Sequence, residues 1–292
     1  MLVLDGKIAS AAVKASLLEQ TTALKAAGKR TPHLAAILVG NNGASETYVA
    51  SKVKNCEETG FGSSLYRFED TVSEQELLAK IETLNKDENV DGILVQLPLP
   101  KHIDDAKVIE AIHPNKDVDG FHPANVGRLV QGLNTFIPAT PYGVLLMLEH
   151  FNIPTKGKNA VVIGRSNIVG RPMSILLSND HPQGNATVTC CHRHTPKEDL
   201  MAACKNADIL VVAVGIPEFV HADMIKPGAT IIDVGITRVA DDTAKKGFRI
   251  KGDVHYASAS ELAGAITPVP GGVGLMTIAA LLKNTMKAYQ GL

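Results

Sequence analysis

The spacing of apolar residues in the first third of the chain switches repeatedly between two patterns. Long segments carry apolar side chains three and four positions apart, as in an amphipathic helix, and the short apolar runs between them are typical of buried strands. One helical segment opens with Ser73 and Glu76, which have the spacing of a capping box. In chain order the pattern predicts a helix over 6–28, a strand over 34–39, a helix over 45–58, a strand over 65–68, a helix over 73–85 and a strand over 92–96.

A second block with the same alternation follows a loop-rich stretch at 113–141. Continuous apolar strands that are separated by helices are typical of parallel sheets with both faces covered. The sequence therefore predicts an α/β protein built from two such blocks. In the second block it predicts helices over 142–151, 197–205 and 274–289, a further helix after the turn at 164–170, and strands over 160–163, 187–191, 209–213 and 230–234.

Composition narrows the class of protein. A length of 292 residues is typical of about two domains, and 45% hydrophobic with 20% charged residues is typical of a globular chain. A formal net charge of −1 argues against binding to nucleic acid. No apolar stretch is long enough for a membrane span, and the opening MLVLDGKIAS lacks a secretion signal. The 4 cysteines form no C-x-x-C pair, so we expect a cytoplasmic protein.

The turn at 164–170 joins a strand to a helix and has a glycine at each end, Gly164 and Gly170. Glycines at such a turn let backbone amides approach a pyrophosphate at the helix N-terminus. The spacing differs from G-x-G-x-x-G, so an ordinary turn accounts for these residues equally well. The next strand is followed by Arg193, where NAD sites usually carry an acid. A cation there favours NADP over NAD, and a solvated surface arginine is the alternative.

Candidate chemistry in the first block lies on a helix and at a strand end. Tyr48 and Lys52 are four residues apart, on one face of the predicted helix. A partly desolvated lysine is a usable base, although an exposed helical lysine would give the same pattern. Gln96 ends a buried strand, where α/β sheets bind ligands, and the alternative is a side chain that caps the strand end.

Two acids, Asp117 and Asp119, precede Gly120. A calcium loop is excluded because the twelfth position counted from Asp117 is Arg128 rather than glutamate. The two acids are therefore turn formers or substrate-binding carboxylates. The histidine spacings match no zinc set, so we expect no metal site.

Six short motifs occur in chain order: YVASK at 48–52, VQLPLP at 95–100, KDVDG at 116–120, GRSNIVGRP at 164–172, DVGI at 233–236 and PVPGGVG at 268–274. Together they resemble the motifs of bifunctional methylenetetrahydrofolate dehydrogenase/methenyltetrahydrofolate cyclohydrolases, and the resemblance covers essentially the whole chain. It implies a homodimer in one-carbon folate metabolism, which serves purine, histidine and methionine biosynthesis. It also implies an α/β catalytic, folate-binding domain at 1–141, completed by the returning C-terminal helix (271–292), and a Rossmann-like, parallel-sheet NADP domain at 142–270.

The resemblance also assigns roles to single residues. Lys52 is the catalytic lysine, Gln96 hydrogen-bonds and tunes it, and Tyr48 orients the folate ring. Asp119 binds the pterin. Further substrate contacts come from Pro270 and Gly271, and cofactor contacts come from Gly164, Arg165, Ser166, Arg193 and Ile236.

Two positions depart from the family pattern, and two alternative functions fit parts of the sequence. Leu275 stands where the family usually has proline, and the stretch 179–185 is longer than usual. Short-chain dehydrogenases also use Tyr-x-x-x-Lys, but there the motif follows the nucleotide turn, whereas Tyr48 precedes it here. A sensor that binds NADP or folate without turnover is the non-enzyme alternative. Whether Lys52 acts as a base or as an electrostatic partner is open.

Overall fold

The computed structural model describes residues 1–244 and 247–291. It is an α/β structure in which the chain packs into two compact units. Unit 1 comprises Met1–Ser10 and Thr140–Thr277, and unit 2 comprises Ala11–Ala139 and Ile278–Leu292.

Helices and strands alternate along both units, as the spacing of apolar residues predicts. The strands are β1 (Leu2–Val3), β2 (His33–Val39), β3 (Gly62–Phe68), β4 (Gly92–Val95), β5 (Asn159–Ile163), β6 (Thr187–Cys191), β7 (Ile209–Val212), β8 (Thr230–Asp233), β9 (Thr237–Ala240), β10 (Phe248–Lys251) and β11 (Ala265–Ile266). The helices are α1 (Gly6–Ala26), α2 (Gly43–Glu58), α3 (Glu74–Lys86), α4 (Asp105–Ala111), α5 (Pro123–Val130), α6 (Ala139–His150), α7 (Gly170–Ser178), α8 (Lys197–Asn206), α9 (Tyr256–Ser260) and α10 (Val273–Tyr289).

Unit 2 is built on a parallel sheet with the order β3-β2-β4. Successive residues of β2 point to opposite faces, so alternate residues of its apolar run enter two separate cores. One core contains Leu34 and Leu38 together with Leu281 and Met286 of α10. The C-terminal helix therefore completes the packing of unit 2, which confirms the predicted return of this helix to the first block.

Unit 1 is built on a parallel sheet with the order β1-β11-β8-β7-β5-β6. Strand β5 lies between β6 and β7, so the chain leaves it to one side and later returns on the other. Ligands of open α/β sheets bind beyond the carboxyl ends of the strands at such a switch of strand order. The fold thus selects the loops after β5, β6 and β7 as the cofactor edge. The Rossmann-like prediction is confirmed.

The structure differs from the sequence prediction in the stretch predicted to be loop-rich. Helix α5 forms there, with Pro123 at its first position and His122 Nδ1 accepting a hydrogen bond of 3.0 Å from the backbone of Ala124. A helix of eight residues is shorter than the window of about 11–18 residues over which helical spacing is recognised in a sequence.

The start of the chain also packs differently from expectation. Strand β1 pairs with β11, which places Met1–Ser10 in unit 1 rather than with the first block. A two-residue strand has no periodicity of its own, so its position depends on its distant partner. The packing units therefore differ in their bounds from the predicted functional domains, which stay a prediction. Within the described residues, no helix has the length and apolar character that a membrane crossing requires.

Candidate active site and cofactor cavity

Lys52 is a buried lysine on α2 of unit 2. Its side chain is only 8% exposed, and its Nζ donates a hydrogen bond of 3.0 Å to Oε1 of Gln96. Burial lowers the pKa of Lys52 because water no longer stabilises the ammonium form. The exposed-lysine alternative is therefore wrong.

Gln96 directly follows β4 and is oriented by its own hydrogen bonds. Its Nε2 donates to the carbonyl of Leu97 at 2.7 Å, which leaves Oε1 to accept from Lys52. The side chain thus caps the strand end and also holds the lysine. The sheet order brings these two residues together although they are 44 positions apart in sequence.

Asp119 is the charged partner of Lys52 in unit 2. Burial raises the pKa of this half-buried carboxyl to about 6, the attraction of Lys52 opposes the rise, and the nearby charge of Asp117 adds to it. Asp119 in turn raises the pKa of Lys52 against the larger effect of burial. The two groups therefore form a coupled acid–base pair, and the pKa of each group lies nearer to neutral pH than it would in water.

Asp117 has a different role from Asp119. It is buried and accepts hydrogen bonds from the backbone of Phe121 and His122 and from Nδ2 of Asn125, at 3.2, 2.8 and 2.8 Å. These bonds shape the loop that follows. Asp117 is therefore the turn former of the pair. The substrate-binding role predicted for Asp119 is compatible with this division of roles.

Tyr48 lies one helical turn before Lys52 on α2 and is half-buried. The same helix carries Cys56, whose thiol is fully buried and has its pKa raised to about 12 by that burial. This thiol is a packing group rather than a nucleophile. The face of α2 that carries the candidate chemistry is therefore the Tyr48–Lys52 end.

Unit 1 contains a cavity of about 770 Å³ at the carboxyl edge of its sheet. Its walls are the ends of β5, β6 and β7 and the loops that follow them. The lining is mostly apolar, and its charged or titratable side chains are mainly basic. They are Arg165, His192, Arg193, Lys197, His221 and Asp223.

The turn at 164–170 is shaped by close backbone contacts. A Cβ on Gly164 would lie 2.3 Å from the carbonyl oxygen of Ala213, and one on Gly170 would lie 2.1 Å from that of Gly164. Gly164 also has a φ of +121°, which favours glycine. The hydroxyl of Ser166 accepts a hydrogen bond of 3.2 Å from the backbone of Val169. Both glycines are therefore needed for the turn that borders the cavity.

A dinucleotide fits the chemistry of this cavity. Its volume suits a small-molecule cofactor, its basic groups match phosphates, and a helix N-terminus follows the glycine turn. Arg193 lines the wall where the sequence predicts a contact to a ribose phosphate.

Two family models match the chain. The catalytic domain of tetrahydrofolate dehydrogenase/cyclohydrolase matches residues 4–119, and the NAD(P)-binding domain of the same family matches residues 138–291. The chain belongs to the tetrahydrofolate dehydrogenase/cyclohydrolase family.

Relatives and solved structures agree with this family membership. "Bifunctional protein FolD" of Flavobacterium johnsoniae is 57% identical over 288 residues, which is 99% of this chain and 97% of the relative. The crystal structure of the bifunctional enzyme of Campylobacter jejuni has a TM-score of 0.92 and 48% identity and covers 100% of this chain and 99% of its own. The Trypanosoma brucei enzyme, solved with NADP and an inhibitor, has a TM-score of 0.94 and 37% identity and covers 100% of this chain and 98% of its own.

The structure brings the predicted site residues together in two groups. In unit 2 Lys52 contacts Gln96 and is coupled to Asp119, with Tyr48 on the same helix. In unit 1 Gly164, Arg165, Ser166 and Arg193 line one cavity. The remaining predicted residues of unit 1 lie elsewhere: among the described residues, the lining does not include Ile236, Pro270 or Gly271.

Sequence reasoning missed several residues of the cavity wall. His192 and Lys197 flank Arg193, and His221 stacks on His255 with ring centroids 4.9 Å apart. The basic residues after β6 were visible in the sequence as a short run around Arg193. His221 had no such signal, because it reaches the cavity through a loop whose path depends on contacts with a distant segment.

Proposed function

We propose that this chain is the bifunctional enzyme that its family membership indicates, with Lys52 at the catalytic centre. It oxidises 5,10-methylenetetrahydrofolate to 5,10-methenyltetrahydrofolate with NADP, and then hydrolyses the product to 10-formyltetrahydrofolate. The observation that supports the assignment of Lys52 is its hydrogen bond to Gln96 within a buried, charge-coupled group with Asp119.

In the first reaction the methylene carbon loses a hydride and becomes part of the methenyl cation. Bound NADP supplies the hydride acceptor. The folate nitrogens stabilise the cation, so the protein mainly orients the reactants. Asp119 accepts hydrogen bonds from the pterin, and Tyr48 orients the ring. Glycines 164 and 170 and the basic residues around Arg193 bind the phosphates of the cofactor.

In the second reaction water adds to the cationic carbon and loses a proton to give a neutral hydroxyl adduct. The hydroxyl proton of the adduct is then lost and N5 gains a proton as the bond between the carbon and N5 breaks, which leaves the formyl group on N10. Two roles are open to Lys52. As a neutral amine it takes the proton from the attacking water, a role that its lowered pKa favours. As an ammonium ion it stabilises the negative charge that develops as the adduct collapses.

A direct assay tests the activity. Purified protein is mixed with methylenetetrahydrofolate and NADP, and reduced cofactor and the methenyl absorbance are followed together. Reduced cofactor with transient methenyl absorbance is expected. Binding of both ligands without turnover would instead support the sensor alternative.

The pH dependence of methenyl hydrolysis separates the two roles of Lys52. A rate that rises with pH as the amine loses its proton indicates the base. A rate that falls over the same range indicates the ammonium ion. The enzyme's Lys52→Arg variant serves as the control, because arginine stays charged throughout the range.

We further propose a cytoplasmic homodimer that supplies one-carbon units for purine, histidine and methionine biosynthesis. The support is the family resemblance and, for the compartment, the four cysteines, which are free thiols of the kind that a reducing environment maintains. Light scattering after size-exclusion chromatography gives the mass in solution, and a mass near twice 31.0 kDa is expected.

A further inference from the structure

Two buried aspartates of unit 1 interlock directly behind the cofactor cavity. Asp233 ends β8 and Asp253 follows β10, and their exposed fractions are 3% and 0%. Neither lines the cavity, and the roles predicted from the sequence do not use them. Buried carboxyl groups are costly to retain, so each needs a physical reason.

Each aspartate packs against a glycine that neighbours the other aspartate in sequence: Asp253 packs against Gly235, and Asp233 packs against Gly252. A Cβ on Gly235 would lie 2.3 Å from Oδ1 of Asp253, and a Cβ on Gly252 would lie 1.9 Å from Oδ2 of Asp233. Asp233 also accepts hydrogen bonds of 2.9 Å from the backbone of Gly235, Asp253 and Val254. Asp233 therefore fixes the position of Asp253.

Asp253 in turn holds the loop that follows β7. Its Oδ2 accepts hydrogen bonds from the backbone of Val214 at 2.7 Å and of Gly215 at 2.9 Å. Val214 is part of the cavity wall, and so is Ile216. The carboxylate thus lies one layer behind the wall and is bonded to its backbone.

The rest of this wall is held by the same segment. The backbone of Glu218 donates to Gly252 at 2.9 Å, and the backbone of Val220 donates to Asp253 at 3.0 Å. Glu218 has a φ of +55°, a left-handed conformation that a non-glycine residue rarely adopts. A loop with such a residue depends on outside contacts for its shape. Segment 252–254 supplies these contacts.

The second oxygen of Asp253 has no such partner. Oδ1 is buried and accepts no hydrogen bond of good geometry within the part of the chain that the structure describes, although the backbone of Ile216 also lies close enough to stabilise the charge of this carboxyl. A buried acceptor without a hydrogen bond costs its full desolvation free energy, and a charged acceptor costs more than a neutral one. An apolar residue would fill the space without this cost, so the acceptor oxygen for the adjacent amides is what the site requires.

We propose that Asp253 is a positioning residue for NADP, which fixes the backbone of Val214 and Gly215 and thereby the shape of the cavity wall without touching the cofactor. Asp233 is its support. The inference rests on the proposed use of NADP. Calorimetric titration of the wild-type protein with NADP tests that use separately, before any variant is compared.

The test compares three single variants by calorimetry, steady-state kinetics and hydrogen exchange of the ligand-free protein. Asp253→Ala leaves two amides unpaired, and we expect the NADP Kd to rise about tenfold, which corresponds to about 1.4 kcal/mol. The kcat at saturating NADP and the KM for methylenetetrahydrofolate stay within about twofold, because the catalytic groups of unit 2 are unchanged. The amides of Val214 and Gly215 exchange faster.

Asp253→Asn is the rescue variant. Its amide oxygen can accept both bonds, so the NADP Kd is expected to stay within about threefold of wild type. Asp208→Ala is the matched control. This control removes a carboxylate that accepts a hydrogen bond of 2.9 Å from the backbone of Asn159, at the opposite end of the same sheet. It should leave the NADP Kd unchanged.

A wild-type NADP Kd in folded Asp253→Ala would overturn the proposal. So would equal losses in Asp253→Asn and Asp253→Ala, or a rise of the folate KM in parallel with the NADP Kd, since either indicates a general structural role. If the alanine variant does not fold, Asp253→Ser takes its place and the same outcomes decide.

Discussion

Replacing Asp119 by asparagine should stabilise the protein while it damages folate binding. Burial raises the pKa of Asp119 from 3.8 to about 6, even with the attraction of Lys52 acting against the rise. At about 1.4 kcal/mol for each tenfold change, the ionised carboxylate destabilises the folded state by at most about 3 kcal/mol at neutral pH, because water that reaches this half-buried side chain screens part of the charge. Asparagine carries no charge, so the free energy of unfolding of Asp119→Asn should be up to about 3 kcal/mol higher than that of the wild type.

The sign and the pH range of this effect follow from the raised pKa. Well below pH 3.8 the carboxyl is protonated in both the folded and the unfolded state, and its ionisation then contributes nothing to the free energy of unfolding. As the pH rises from about 4 to 6 the unfolded state ionises first, so the wild type loses stability. Above about 6 both states are ionised and the loss is constant. The advantage of Asp119→Asn should therefore shrink from at most about 3 kcal/mol at pH 8 to at most about 1 kcal/mol at pH 4.5.

The same substitution should weaken folate binding. A carboxylate can accept paired hydrogen bonds from the amino group and ring N–H of a pterin, and an amide leaves one of these donors facing its own NH₂. An unpaired buried donor costs about 1–3 kcal/mol, so the Kd of a folate analogue should rise roughly 5- to 150-fold. The NADP Kd should not change.

Urea unfolding at pH 4.5 and pH 8, with calorimetry for both ligands, measures these effects. Asp117→Asn is the matched control in the same loop. Burial raises the pKa of Asp117 as well, but both of its oxygens accept hydrogen bonds, from two backbone amides and from Asn125. In Asp117→Asn the side-chain NH₂ would face one of these donors, so this replacement should destabilise the protein although it removes a buried charge. The reasoning is refuted if Asp119→Asn is less stable than wild type at pH 8, or if its advantage is the same at both pH values.

Three further substitutions test the site. Lys52→Met should abolish methenyl hydrolysis while NADP binding persists, and decay of supplied methenyltetrahydrofolate at the wild-type rate in stopped flow would contradict this. Arg193→Ser should weaken NADP more than NAD by about 10- to 150-fold, the value of a charge-assisted contact of roughly 1.5–3 kcal/mol, and equal losses would make Arg193 a bystander. Gly170→Ala places a Cβ 2.1 Å from the Gly164 carbonyl and should raise the NADP Kd at least tenfold by calorimetry, so unchanged binding would show that this turn does not hold the cofactor.

Much of the fold can be predicted from the sequence because the signals are local. Apolar spacing predicts most helices and strands of both units. The capping box is confirmed, since the Ser73 side chain accepts from the backbone of Glu76. Gly164 and Gly170 predict a tight turn from the sequence. The structure gives the reason for these glycines, because a Cβ at either position would clash with the backbone. The family resemblance, carried by short motifs of this kind, predicts the function and the cofactor.

Tertiary structure alone decides which distant residues meet. Strand β1 has no periodicity and takes its place by pairing with β11 near the other end of the chain.

The same holds for the site. The sequence shows Lys52, Gln96 and Asp119 as separate polar residues, and the pKa values of Lys52 and Asp119 shift only because the fold buries these groups side by side. Asp253 has no local pattern that connects it to Val214. Local spacing determines which segments become helices or strands, whereas burial and charge coupling depend on the order of strands in the sheet.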